Sequence, residues 1–126
     1  MTGPAGRAVA VFVVLLAVYA STLGLDAFGA SDYGGDEPHY LLAAGSLVED
    51  GDLDVLDDYA AREYADFYPY ELDMHGAPRD GSLHEPHGAG FPALIAPALA
   101  VGGPVAVELF LAAIAAGCGA LAYLLA

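Results

Sequence analysis

Lysine is missing altogether, and three arginines are the only strongly basic side chains. Binding to a phosphate backbone needs clusters of Lys and Arg, so a net charge of −14 excludes nucleic acid as a partner. Cysteine is nearly absent too. Cys118 stands alone in an apolar run, which excludes an internal disulfide and a thiolate metal site and reads as a small buried hydrophobe. Charge of either sign is scarce at both ends, where residues 1–25 hold only Arg7 and residues 91–126 only Glu108. Every other charged residue, with all four histidines, falls between Asp26 and His87. Two greasy ends around a polar middle are not the pattern of a soluble globular domain.

The uncharged ends carry the first structural signal. Residues 8–25 form an apolar run that spans about 27 Å as a helix, close to the roughly 30 Å of a bilayer core. The run is longer than a signal peptide's apolar region and lacks an A-x-A cleavage pattern with a polar start, so it reads as a retained transmembrane helix. Arg7 on the short side suggests that this side is cytoplasmic. Near the other end, residues 91–101 are apolar but too short to span and hold two prolines, which suits an interfacial or re-entrant segment. Gly102-Gly103-Pro104 separates them from a second expected transmembrane helix, 105–126. No internal repeat is visible.

Between the two runs lies an acidic loop, 26–90. Residues 26–35 are turn-rich, with Gly29, Gly34 and Gly35 as punctuation. A helix is expected over 37–50, because Tyr40, Leu41, Ala44, Leu47 and Val48 share one face. Asp36 suits its N-cap, Pro38 its first turn and Gly51 its exit, and its apolar face suits a bilayer surface. A second helix is expected over 58–67, where Arg62 sits four residues from both Asp58 and Asp66. Tyr59, Tyr64, Phe67, Tyr68 and Tyr70 suit a headgroup interface. The fold class predicted is thus an all-α membrane protein: two transmembrane helices flank an extracytoplasmic loop with juxtamembrane amphipathic helices, in a multi-pass protein of the plasma membrane. The chain reads as one membrane unit of a larger multi-span protein.

Asp36-Glu37 is the chemical signal. Two adjacent carboxylates at a helix start lie ten residues beyond a membrane run. A helix N-terminus carries partial positive charge and attracts phosphate, and a carboxylate beside it can serve as general base toward an acceptor hydroxyl. The N-terminus lowers an Asp pKa whereas burial raises it, and a simple cap is the plainer alternative. Asp50-Gly51-Asp52-Leu53-Asp54 opens like a calcium loop. Val55 and Ala61 fill the positions that need Gly and Glu, so that reading fails. His75, His84 and His87 cluster in the loop with Glu85, at spacings that match no closed zinc pattern. A divalent metal shared by Asp36 and a histidine competes with plain loop histidines. Gly88 and Gly90 beside His87 allow close backbone approach to a ligand or membrane surface.

The order of these pieces resembles a known family. A first span, then GDEPHYLLAAGSLVEDGDLDVLDDY, then HEPHGAGFPALIAPALAVGG and a further span is similar to the N-terminal region of integral-membrane glycosyltransferases of the C superfamily. The bacterial and archaeal relatives of the protein O-mannosyltransferases and lipid A aminoarabinose transferases look nearest. The resemblance implies transfer of a sugar from a polyprenyl-phosphate carrier to an extracytoplasmic acceptor. It implies Asp36 and Glu37 as the catalytic acids, and His39, Tyr40, His87 and Gly88 as substrate contacts. A divalent metal remains open as cofactor, with Asp36, His84 and His87 as candidate ligands. Expected partners are membrane lipid, the polyprenyl-phosphate-sugar donor, and further membrane helices or subunits. Family members carry many more spans, so a non-catalytic membrane assembly module or degenerate relative is the competing reading. Gly102, Gly117 and Gly119 would permit close helix contacts in either case.

Acid excess with this few basic residues resembles adaptation to high salt, where screening removes self-repulsion. The melting temperature of the purified protein is therefore expected to rise from dilute toward molar salt. A fall over that range, followed by circular dichroism, would refute a halophilic origin.

Overall fold

The computed structural model describes residues 3–126 and is helical, with no strand among the described residues. Its elements are α1 (Pro4–Ala20), α2 (Glu37–Glu49), α3 (Leu56–Ala61), a 3-10 turn (Glu63–Asp66) and α4 (Gly90–Leu125). Two isolated bridges, Phe28 with Ser31 and Arg79 with Ser82, close tight turns in the loops.

α4 is 36 residues long, and among the described residues it is the one helix long and apolar enough to cross a membrane. The segment expected as interfacial is therefore helical and runs into the segment expected as a span. The two are set apart at Gly102 and at Gly103, whose φ of 66° and ψ of −163° suit only glycine. Pro104 follows without an N–H to donate, so the helix breaks here. From Pro104 to Leu125 the rise is about 33 Å, close to a bilayer core of roughly 30 Å. The first expected span appears as α1, whose 17 residues rise only about 25 Å. It ends earlier than residue 25 because Ser21 and Thr22 turn their hydroxyls back to the carbonyls of Val18 and Tyr19, both at 2.7 Å.

α1 and α2 both pack on α4. Against α1, Gly119 gives α4 a notch: a Cβ there would collide with Leu15 Cδ1. Cys118, expected as a buried hydrophobe, is exposed beside it on α4. α2 lies between two apolar clusters. Leu41 and Ala44 face Ile95, Ala96 and Val107 of α4 together with Tyr33, whereas Leu42 and Ala43 face Val55, Tyr59, Tyr64, Leu72 and Leu83 of the loop. α2 therefore buries apolar residues against protein on both sides, which replaces the expected docking of one face on a bilayer.

The aromatic run belongs to that loop core rather than to a headgroup interface. Tyr59 and Tyr64 are buried and Phe67 and Tyr68 pack on them. The helix expected over 58–67 is divided at Arg62, which adopts left-handed backbone (φ 59°, ψ 41°) and turns its guanidinium over the Tyr64 ring at 5.6 Å. Two acids hold the loop to the helices. Asp54 Oδ1 accepts the backbone N–H of Leu83 at 2.8 Å and of Leu56 at 3.2 Å, and Val55 N–H donates to Leu83 O at 2.8 Å. Those bonds hold the Asp54 carboxyl below its ordinary range, the Leu83 N–H first among them. Glu108, the one acid of α4, accepts the Tyr33 hydroxyl at 2.5 Å, and burial together with this acid pushes the Tyr33 phenol upward.

Asp58 is the costly residue of this core. It is 1% exposed, and its Oδ2 has no hydrogen-bond partner among the described residues. Burial, then the neighbouring carboxyls of Glu63 and Asp57, push its pKa up to about 7. Asp58 thus holds its proton more tightly folded than unfolded. The stability it contributes is complete below its unfolded pKa, near 4, and is lost as pH rises through about 7. Asp58→Asn is expected to raise the melting temperature over wild type at pH 8 and to lose most of that advantage at pH 5. An equal difference at both pH values would contradict an ionisation cost at Asp58.

Candidate functional site

The first turn of α2 puts a histidine inside the protein. Pro38 and His39 are both buried, because the helix start is pressed between the loop core and α4. A buried imidazole needs partners, and two segments supply them. Tyr59, from α3, places its hydroxyl 2.6 Å from His39 Nδ1. Glu85 follows Leu83, which the Asp54 and Val55 bonds hold in place, and its Oε1 lies 2.5 Å from the Tyr59 hydroxyl and 3.3 Å from His39 Nδ1. The tyrosine proton goes to the carboxylate, so His39 carries its proton on Nδ1 and donates it to the Tyr59 oxygen. Burial lowers the His39 pKa, Glu85 opposes that, and His75 and His87 add to it, which favours the neutral ring. Burial and Glu85 push the Tyr59 phenol well above its ordinary value.

Glu85 Oε2 is buried and has no hydrogen-bond partner among the described residues. It borders a cleft of about 220 Å³ lined by Ala43, Leu53, His84, Gly88, Ala89 and Pro92. Gly88 takes φ 78° at the rim, which keeps the backbone between Glu85 and α4 in a turn that other residues rarely adopt.

Outward from this buried chain the site becomes open. His75 stacks on His39 with ring centres 3.6 Å apart and planes at 29°. His75 Nδ1 lies 3.0 Å from His87 Nε2, and both nitrogens face Asp36 Oδ1, at 3.9 and 3.8 Å. The His87 ring is backed by Tyr40, whose own ring packs edge-on against Phe91 at the start of α4. Asp36 is the N-cap residue of α2 as expected, but its side chain makes no capping bond and is 54% exposed. Glu37 closes the turn before the helix instead, its Oε2 accepting the Gly34 N–H at 2.9 Å.

The structure thus brings Asp36, His39, Tyr40 and His87 to one place, with Gly88 next to them. Glu37 points back to the Gly34 turn, and it lines a small cleft of about 90 Å³ with Tyr33, Tyr40 and Glu108. His84 lies apart, its Nδ1 donating to Leu53 O at 2.8 Å. His75, Tyr59 and Glu85 join the site as well. His75 and Glu85 belong to the histidine cluster visible in the sequence, whereas Tyr59 is grouped there only with the aromatic residues. Comparison of the chain with protein families, with curated proteins and with solved structures finds no match.

Tyr59→Phe keeps the ring and deletes the hydroxyl that joins Glu85 to His39. A buried acceptor left without its donor costs about 1–3 kcal/mol. The variant is expected to melt lower than wild type by a corresponding amount in detergent, and an unchanged melt would mean that the hydroxyl is not structural.

Proposed function

We propose that this chain is an integral-membrane glycosyltransferase, or the N-terminal part of one, that transfers a sugar from a polyprenyl-phosphate carrier to an acceptor outside the cytoplasm. The observation that carries the reading is the state of Asp36. It sits at the start of a 13-residue helix, is exposed, forms no cap bond, and shares its space with two histidines. An exposed carboxylate with no cap bond to hold it can take the proton of an acceptor hydroxyl as that oxygen attacks the sugar carbon and the carrier phosphate leaves. The positive end of α2 favours the departing phosphate nearby. The resemblance of Gly35–Tyr40 and His87–Pro92 to the C superfamily supplies the substrate class. On this reading α1 and the second part of α4 cross the plasma membrane and residues 26–90 lie outside it. Glu37 supports Asp36 by closing the turn, while His39, Tyr40, His87 and Gly88 shape the pocket for donor and acceptor.

A non-catalytic assembly module is the second reading, and the exposed apolar side chains along α4, among them Val105, Leu109, Ile114 and Leu121, are the observation that favours it. Sugar transfer separates the two. In its native protein context with a polyprenyl-phosphate-sugar donor, Asp36→Asn is expected to lower turnover by at least about a hundredfold, the range of a lost general base. Turnover near the wild-type rate in that variant would remove Asp36 from the chemistry.

A further inference from the structure

We infer that Asp36, His75 and His87 form a binding site for a transition-metal dication of the zinc or cobalt class, built from side chains of the loop and the start of α2. The geometry comes from three distances. His75 Nδ1 and His87 Nε2 are 3.0 Å apart, and they lie 3.9 and 3.8 Å from Asp36 Oδ1. A triangle with these sides has its centre about 2.1 Å from every corner, which is the bond length that zinc makes to imidazole nitrogen and to carboxylate oxygen. The three donor atoms therefore need little movement to share one ion.

The chemistry selects the ion. Two imidazoles and one carboxylate suit zinc, cobalt, nickel or iron, whereas magnesium and calcium take oxygen ligands. All three side chains reach solvent, at 54% for Asp36, 36% for His75 and 21% for His87, so the remaining coordination positions face outward and can take water or an anionic oxygen of a ligand. The surroundings hold the donors in place. His39 backs His75 by stacking, and Tyr40 backs His87. The chain's charge of −14 favours a dication here, which has no lysine to compete with.

A neighbouring group, His39, His75 and Glu85, also places three donors within 4.8 Å. Its His39 Nδ1 and Glu85 Oε1 are already engaged with the Tyr59 hydroxyl, and it shares His75 with the outer site. In the outer trio the donor atoms face only one another, so one ion can replace those contacts. The inference does not rest on sugar transfer, and metal binding is measured without a substrate.

The test uses the whole protein in detergent at high salt, stripped with a chelator and titrated with Co2+ while the visible spectrum is recorded. One Co2+ per chain is expected, displaced by Zn2+ and not by excess Mg2+. His75→Ala, His87→Ala and Asp36→Asn are expected to weaken it by at least about tenfold, each losing roughly the free energy of one decade in Kd. His84→Ala is expected to bind as wild type. Circular dichroism of each variant checks the fold, and His87→Gln replaces His87→Ala if loss of the ring against Tyr40 unfolds the loop. Equal affinity across wild type and the three ligand variants overturns the site, as does weak binding of many ions or displacement of Co2+ by Mg2+.

Discussion

Burying His39 is the constraint on which the arrangement of the loop depends. The side chain is 3% exposed, and an imidazole in that position must have its nitrogen satisfied or the fold loses about 1–3 kcal/mol. The partners that satisfy it are 20 and 46 residues away in sequence. One polar group therefore fixes three segments against each other: the start of α2, the middle of α3 and the strand-like stretch after Leu83. Asp54 makes this affordable by a second device, taking two backbone N–H groups so that Leu83 lies beside Val55 and delivers Glu85 to Tyr59.

α2 can serve both cores because its centre is small. Leu41 and Leu42 point to opposite clusters, and Ala43 and Ala44 follow them with Gly45. Small side chains let α4 on one side and the loop on the other approach closely, which is the packing that a wider helix would prevent. The consequence for the site is directional. With both long faces covered, α2 is exposed at its two ends, and the N-terminal one carries Asp36. The exposure of one carboxylate and the burial of its neighbour two residues on, Pro38, are two results of the same packing.

The parts of this architecture written in local pattern are visible in the sequence. The bounds of α2, the break at Gly102-Gly103-Pro104, the apolar ends and the crowding of charge into residues 26–87 follow from periodicity, glycine, proline and composition. What pattern does not show is pairing over distance. Arg62 takes a left-handed conformation that no propensity predicts, because the chain must turn to bring Tyr64 under the core, and the tertiary contact outweighs the helical preference of the segment. Glu108 looks like a misplaced charge until Tyr33 meets it from 75 residues away. His75 stands 12 residues from His87 in a glycine-rich loop, where no repeat announces that their rings will touch, so the sequence points to His84 with His87 as the candidate ligands and passes over His75. The tyrosines misled for a related reason. An aromatic cluster beside a membrane run suits a headgroup layer and a small core equally well, and only the position of Leu72 and Leu83 decides between them.

The buried and open halves of the site are one structure rather than two neighbours. His39 contributes its Nδ1 to the chain through Tyr59 to Glu85 and its ring face to His75, so the position of an outer donor is set by an inner hydrogen bond. A ring stacked at 3.6 Å leaves His75 little freedom to swing, and Tyr40 with Phe91 limits His87 in the same way. Donors held before a ligand arrives lose less entropy on binding. The rings that back the donors, His39, Tyr40 and Phe91, belong to α2 and α4, so this rigidity comes from those helices. The chemistry is accordingly placed where the helices meet the loop.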